Sequence, residues 1–282
     1  MADTEEVDRQ AELKAFLRSR RARIRPSDVG LPTFGDRRRV PGLRREELAR
    51  LAGVGVDYYI RLEQGRNEKI SGELLDAIAR ALRLDPVERA HLHNLARPAR
   101  RGGHRPVERA APGLQRLLDS MTGAPAYVVG RRTRVLAWNR LAAAVFGDFG
   151  AVPDRDRSMA RLVFLDPAVR ELYRDWEVKA RDVIARLRLE LGRHPEDPEL
   201  AALIAELAQE SADFGRLWED QQVLDKTHGG YRLHHAGIGR FSLDFRALRL
   251  PEEPDQLLVA YIVEPGSALE AAMRRLERAA SE

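Results

Sequence analysis

The chain has 282 residues, 44% of them hydrophobic and 33% charged, enough apolar material for two packed domains and too much for a disordered chain. It holds no cysteine, which excludes disulfides, thiolate zinc sites and cysteine nucleophiles. The net charge of +4 is unevenly spread: residues 1–110 carry 24 Lys/Arg against 17 Asp/Glu, and the rest carry 24 against 27. A basic front suits a polyanion, and the mildly acidic back need not meet one. The opening MADTEEVDRQ is acidic and polar, unlike a secretory leader, and no run approaches the ~18 apolar residues of a membrane span. A soluble, cytoplasmic protein without membrane contact is expected.

In chain order, AELKAFLRSRRARI (11–24) sets Leu13, Phe16, Leu17 and Ile24 at near-helical spacing, with arginines on the other face. PSDVGLPTFGDRRRVPG follows, broken by prolines and glycines and carrying Arg37, Arg38 and Arg39. From Leu43 to Leu84 the pattern predicts three short helices. A fifth runs from Pro86 to about Ala96, with proline in the first turn, where its missing N–H costs nothing. PARRGGHRPVERAAPG then reads as a linker.

Past the linker, AYVVG and TRVLAWN are short β-branched and aromatic runs that predict a hairpin. Two long helical patterns follow, DPAVRELYRDWEVKARDVIARLRLELG and PEDPELAALIAELAQESADFGRLWEDQQ. Strand patterns return in YRLHHA, GRFSLDFRAL and QLLVAYIVE, where Phe241, Leu243 and Phe245 alternate with polar residues to mark one buried face. SALEAAMRRLERAA predicts a closing helix. The expected fold is an all-α bundle of five helices (1–97, with a basic arm), a linker (98–112), and an α+β domain with a small antiparallel sheet (113–282).

The segment RREELARLAGVGVDYYIRLEQGR (44–66) is the most informative. Leu48, Ala49, Leu51 and Ala52 give one helix an apolar face, Gly53 supplies a tight turn, and Val54 plugs the gap. A second helix begins near Val56, with Tyr59, Leu62 and Ile60 inward and Gly65 as its stop. Two short helices around a glycine turn, interleaved with arginine, suit insertion into a major groove. Helix-turn-helix shapes also serve as protein modules, but the basic surplus lies on this same segment.

The pattern resembles the Cro/repressor-type, xenobiotic-response-element (XRE) helix-turn-helix family, whose second helix ends in R-[WL]-E-x-G. Here that element is Arg61, Leu62, Glu63, Gln64 and Gly65. One departure is that the helix opens on Gly55 and Val56, where the family often has Ser or Thr and then Gln. Val56 offers only apolar contact, so base-edge hydrogen bonds fall to Asp57, Tyr58 or Arg61. Arg44 and Arg45 before this helix pair, and Arg66, Asn67 and Lys69 after it, are placed for phosphate. Arg37, Arg38 and Arg39 read equally as a minor-groove arm, a phosphate clamp or a solvated loop.

Over nearly its whole length the chain resembles the MmyB-like regulators. RRARIRPSDVGLP and RRRVPGLRREELARLAGVGVDYYIRLEQGR carry the likeness in front. VLAWNRLAAAVFGDF, FLDPAVRELYRDWE, FGRLWEDQQVLDKTHG and LVAYIVEPGS carry it behind. The resemblance implies a PAS-like C-terminal domain whose helices enclose a small, elongated apolar ligand such as a fatty acid. Trp138, Phe146, Phe149, Phe164, Tyr173, Trp176, Phe214 and Trp218 then read either as pocket walls or as core. Asn139 and His228 read as head-group contacts, with helix capping the alternative for Asn139.

No His or carboxylate spacing fits a metal, and no nucleophile elbow, phosphate loop or dinucleotide fingerprint occurs. The expectation is therefore a DNA-binding transcription regulator and not an enzyme. It would act as a homodimer on double-stranded DNA, without metal or cofactor beyond a bound apolar ligand. The alternative is a constitutive DNA binder whose C-terminal domain dimerises or docks a protein.

Overall fold

The computed structural model describes residues 2–31, 42–66, 70–96 and 108–279, with side chains from residue 9 onward. Its elements, in order, are α1 (Ala2–Arg23), α2 (Arg45–Ala52), α3 (Val56–Glu63), α4 (Gly72–Ala81), α5 (Pro86–Ala96), α6 (Leu114–Ser120), β1 (Ala126–Val129), β2 (Val135–Trp138), α7 (Arg140–Phe146), α8 (Met159–Leu165) and α9 (Pro167–Leu172). Then come α10 (Trp176–Arg193), α11 (Pro198–Glu210), α12 (Ala212–Trp218), β3 (His228–His235), β4 (Gly239–Arg249), β5 (Leu257–Ile262) and α13 (Ala268–Ala279). Among the described residues no helix is long and apolar enough to cross a membrane.

Contacts divide the chain into two compact units, the first being Met1–Gly103 with Arg188–Ala201 and Glu219–Leu224. Its core joins Leu13, Phe16 and Leu17 of α1 to Leu48, Tyr59, Leu62, Leu75, Ile78, Leu92 and Leu95, and takes in Leu189 and Val223. Three of the helix starts are capped by nearby side chains. The backbone N–H of Arg44 donates to the Glu47 carboxylate (2.7 Å) ahead of α2, and Ser71 caps α4 by accepting from Leu74 N–H (3.3 Å). Asp85 and Glu88 form a reciprocal capping box at α5 (2.8 and 3.2 Å).

Two expectations are corrected in this unit. The arginine side of α1 is not all solvent-facing: Arg20 and Arg21 are buried because each finds partners inside. Arg20 pairs with Glu88 (2.7 Å) and donates to the Gln221 carbonyl (2.7 Å). Deeper still, the fully buried Arg188 pairs with Glu12 and donates to the Gln221 side chain (2.9 Å). Leu51, read as part of the apolar face of α2, is 37% exposed. It opens onto a cleft of about 470 Å³ lined also by Val29, Ala52, Ala77 and Ala81.

The second unit is His104–Leu187, Ala202–Trp218 and Asp225–Glu282. It is α+β, with one antiparallel five-stranded sheet in the order β2-β1-β5-β4-β3. Leu243, Phe245 and Ala247 of β4 are buried while Ser242, Asp244 and Arg246 face out, as the period of two requires. Leu114 and Leu118 of α6 pack on Ala126, Val128, Ala137 and Leu258; the strand aromatics Tyr127, Trp138 and Tyr261 occupy the alternate positions.

Both long helical patterns are interrupted. The first breaks at Tyr173, which is extended (φ −91°, ψ 103°) and bridges Leu233, while Arg174 N–H donates to the Arg232 carbonyl (3.0 Å). The chain leaves the helix there to lie against β3. The second breaks at Ser211, whose hydroxyl accepts from Phe214 N–H (3.2 Å) and restarts the helix as α12.

Candidate functional site

The first candidate surface is α3. It follows a turn in which Gly53 adopts φ +67°, a conformation costly to any residue with a Cβ. Tyr59 and Leu62 are buried to 0% exposure, whereas Val56 is 38% exposed and Asp57 and Arg61 lie open, with Tyr58 between. Arg61 reaches back to the Asp57 carbonyl (3.4 Å). The helix ends where Gly65 (φ +75°) approaches α1 so closely that a Cβ would lie 2.7 Å from that of Gln10.

What holds α3 in place is a buried ion cluster. The Glu63 carboxylate, 1% exposed, accepts from Arg21 Nε (3.1 Å) and Nη2 (3.0 Å) and from Arg45 Nε (2.9 Å). One carboxylate therefore ties α1, the start of α2 and the end of α3 together. Burial on its own would raise the Glu63 carboxyl. The Arg21 guanidinium outweighs that effect, with help from Tyr59 and Arg45, and holds it below the ordinary carboxylate range.

Arg44 and Arg66 are exposed at the two ends of the α2–α3 pair. Arg45 is shared, its Nε on Glu63 and its side chain 43% exposed. Arg37, Arg38, Arg39, Asn67 and Lys69 lie outside the described residues. Sequence reasoning missed the role of Glu63: the R-L-E-x-G spacing marked the residue, but its partners lie 42 and 18 positions away.

In the second unit the aromatic candidates fall into two clusters. Phe164, Trp176, Phe214 and Trp218 form one, with centroid separations of 5.1–5.5 Å, and the Trp176 indole N–H donates to the Val163 carbonyl (2.7 Å). The other lies along the sheet: Trp138 on Phe149 (5.6 Å), Phe146 on Tyr261 (4.7 Å) and Tyr173 on Tyr231 (5.4 Å). Tyr127, Tyr231, Phe245 and Tyr261 complete it. Of these, only the inward position of Phe245 was legible in the strand alternation. Phe146 also lines a cleft of about 370 Å³ with Val169, Leu172, Asp166 and His235.

Asn139 is 4% exposed and uses its whole amide. Oδ1 accepts from Ala126 N–H (3.1 Å) and Ala142 N–H (2.9 Å), and Nδ2 donates to the carbonyls of Met121 (3.1 Å) and Ala124 (2.7 Å). It caps α7 and ties that helix to β1. His228 is exposed at the start of β3, opposite Arg246. No group of His, Asp and Glu among the described residues is arranged to hold a metal ion.

Two family models match the chain: a helix-turn-helix domain over residues 12–92, and the MmyB-like transcription regulator ligand binding domain over residues 110–276. No curated protein matches it.

Proposed function

The chain belongs to the MmyB-like transcription regulators, and on that premise we propose that α3 is the helix that enters the major groove of duplex DNA. Val56, Asp57, Tyr58 and Arg61 face base edges, while Arg44, Arg45 and Arg66 flank them at phosphates. Asn67, Lys69 and the Arg37–Arg39 arm extend the same contact surface by their place in the sequence. The observation that carries this reading is the division of α3. Its inner face is locked by Tyr59, Leu62 and Glu63, and its outer face is left to polar and apolar side chains with, among the described residues, no internal partner beyond the Arg61 contact along the helix. In a homodimer, two such helices would meet half-sites one helical turn, about 34 Å, or a multiple of it apart.

The C-terminal domain binds the ligand. We propose that this is an elongated apolar molecule such as a fatty acid, received among the aromatic side chains Trp138, Phe146, Phe164, Tyr173, Trp176 and Trp218, with Asn139 at the start of α7 and His228 at the start of β3 as the polar candidates beside them. The abundance of rigid apolar walls with few polar groups supports this.

Fluorescence anisotropy on a selected operator duplex tests the DNA assignment. Arg61→Ala should weaken operator binding by about 1–3 kcal/mol and relax sequence preference, whereas Arg44→Ala should weaken all duplexes alike and reduce the salt slope by about one. Binding that does not change between low and physiological salt would sink these roles. Native mass spectrometry of the purified full chain tests the ligand: a retained lipid-sized adduct supports sensing, and a bare dimer favours the constitutive alternative.

A further inference from the structure

Lys179 of α10 stands out in the second unit. It is 6% exposed, and among the described residues its ammonium makes no hydrogen bond or ion pair. Its neighbours are aromatic faces, with Nζ 4.9 Å from the Tyr231 ring centroid and 5.4 Å from that of Tyr173. Asp182, one helical turn on, is already occupied: Tyr231 Oη donates to it (2.7 Å) and Lys226 Nζ pairs with it (2.6 Å). The cluster of Lys179, Lys226 and Asp182 therefore carries one positive charge in excess.

A buried ammonium without a counter-charge is costly, and aromatic faces offset only part of that cost. A second polar atom nearby is also unsatisfied. The Tyr173 hydroxyl is buried and, among the described residues, has no partner within hydrogen-bond distance; Lys179 and Tyr261 are polar neighbours, and burial pushes its phenol up to about 12, so it stays a neutral donor. Tyr127 and Tyr261 add two hydroxyls, 3.4 Å apart. The rings around Lys179 run without interruption through Tyr231, Phe245 and Tyr261 to Phe146, which lines the 370 Å³ cleft.

We propose that Lys179 and the Tyr173 hydroxyl form the head-group site of the C-terminal domain and receive the carboxylate of a monoanionic ligand whose apolar body lies among the surrounding aromatic rings. One excess charge matches one carboxylate; a dianionic phosphate would bury a negative charge with nothing to meet it. This rests on the reading that the domain takes an apolar-bodied ligand, and it adds a charge requirement that walls of aromatic side chains do not impose. Lys179 acts here as a binding residue, with no chemical step.

The test measures binding of dodecanoate and of the neutral dodecan-1-ol to the full chain by isothermal titration calorimetry, below the micelle concentration of the acid. The parent should bind the acid at least tenfold more tightly than the alcohol. In Lys179→Met that preference should collapse to within about twofold, and Tyr173→Phe should reduce it several-fold. Equal affinity of the parent for acid and alcohol overturns the head-group site and leaves the apolar-ligand reading standing. An acid preference that survives in Lys179→Met also overturns it. Failure to bind either probe removes the apolar-ligand reading and this proposal with it. Should Lys179→Met not fold by circular dichroism, the parent's preference and its response to Tyr173→Phe decide the matter.

Discussion

Glu63→Gln is the perturbation that reaches furthest into the DNA-reading unit. The carboxylate accepts three charge-assisted hydrogen bonds, two from Arg21 and one from Arg45. A glutamine has one acceptor oxygen and sets an NH2 group against a guanidinium. Arg45 is 43% exposed and regains water when released, so its share is small. Arg21 has a side chain only 9% exposed and is left as a buried cation without a counter-charge. Breaking such a pair from one side costs about 3–5 kcal/mol, and the bond that glutamine retains puts the expectation at about 3 kcal/mol. Urea unfolding of the full chain, followed by far-UV circular dichroism, measures it at neutral pH. The pH dependence supplies a second arm. Because the folded Glu63 carboxyl lies below its ordinary value, its contribution is complete above that value and is lost as the pH falls through the folded one. The gap between parent and variant should therefore close in acid. Operator affinity should fall with stability, since α3 loses its tie to α1 and α2. A variant within 1 kcal/mol of the parent, or a gap that persists in acid, refutes the reasoning.

Two further outcomes follow from buried polar groups. His91 is fully buried, lies edge-on to Phe16 (5.1 Å), has neither ring nitrogen hydrogen-bonded among the described residues, and is pushed by burial down to about 3. The folded state thus holds the neutral ring. Stability is complete above the ordinary value of 6.5 and declines by about 1.4 kcal/mol per pH unit toward 3, as only the unfolded chain takes up the proton. His91→Leu should remove that slope; urea midpoints at pH 7 and pH 5 that shift in parallel for parent and variant would show the assignment to be wrong. Asn139→Ala gives up four hydrogen bonds at the start of α7 and should cost about 3 kcal/mol without any ligand present. Unchanged thermal stability of the ligand-free variant would mean that the capping network carries little.

Much of the molecule was legible in local patterns. The five N-terminal helices, the glycine turn at Gly53, the strand alternation of β4 and the closing helix depend on residues within a turn or two of one another, where spacing and capping chemistry decide the outcome. The R-L-E-x-G element and the stretches resembling MmyB-like regulators marked the helix-turn-helix domain and the ligand-binding domain that the two family models match. Charged residues were legible least. Arg20 and Arg21 lie on the basic side of α1 and read as solvated, yet both are buried, because Glu88, Gln221 and Glu63 approach from distant parts of the chain. Tyr173 sits within a continuous helical pattern, and the helix breaks where the chain pairs with β3 through Tyr173–Leu233 and Arg174–Arg232. Lys179 carries no sequence signal: a lysine in an amphipathic helix is ordinarily exposed, yet this one is buried and lies against the rings of Tyr231 on β3 and Tyr173 in the turn after α9. Local spacing determines which elements form. Which charges end up inside depends on partners that tertiary packing alone brings within reach, since a buried ion is tolerated only where such a partner, or a ligand, can meet it.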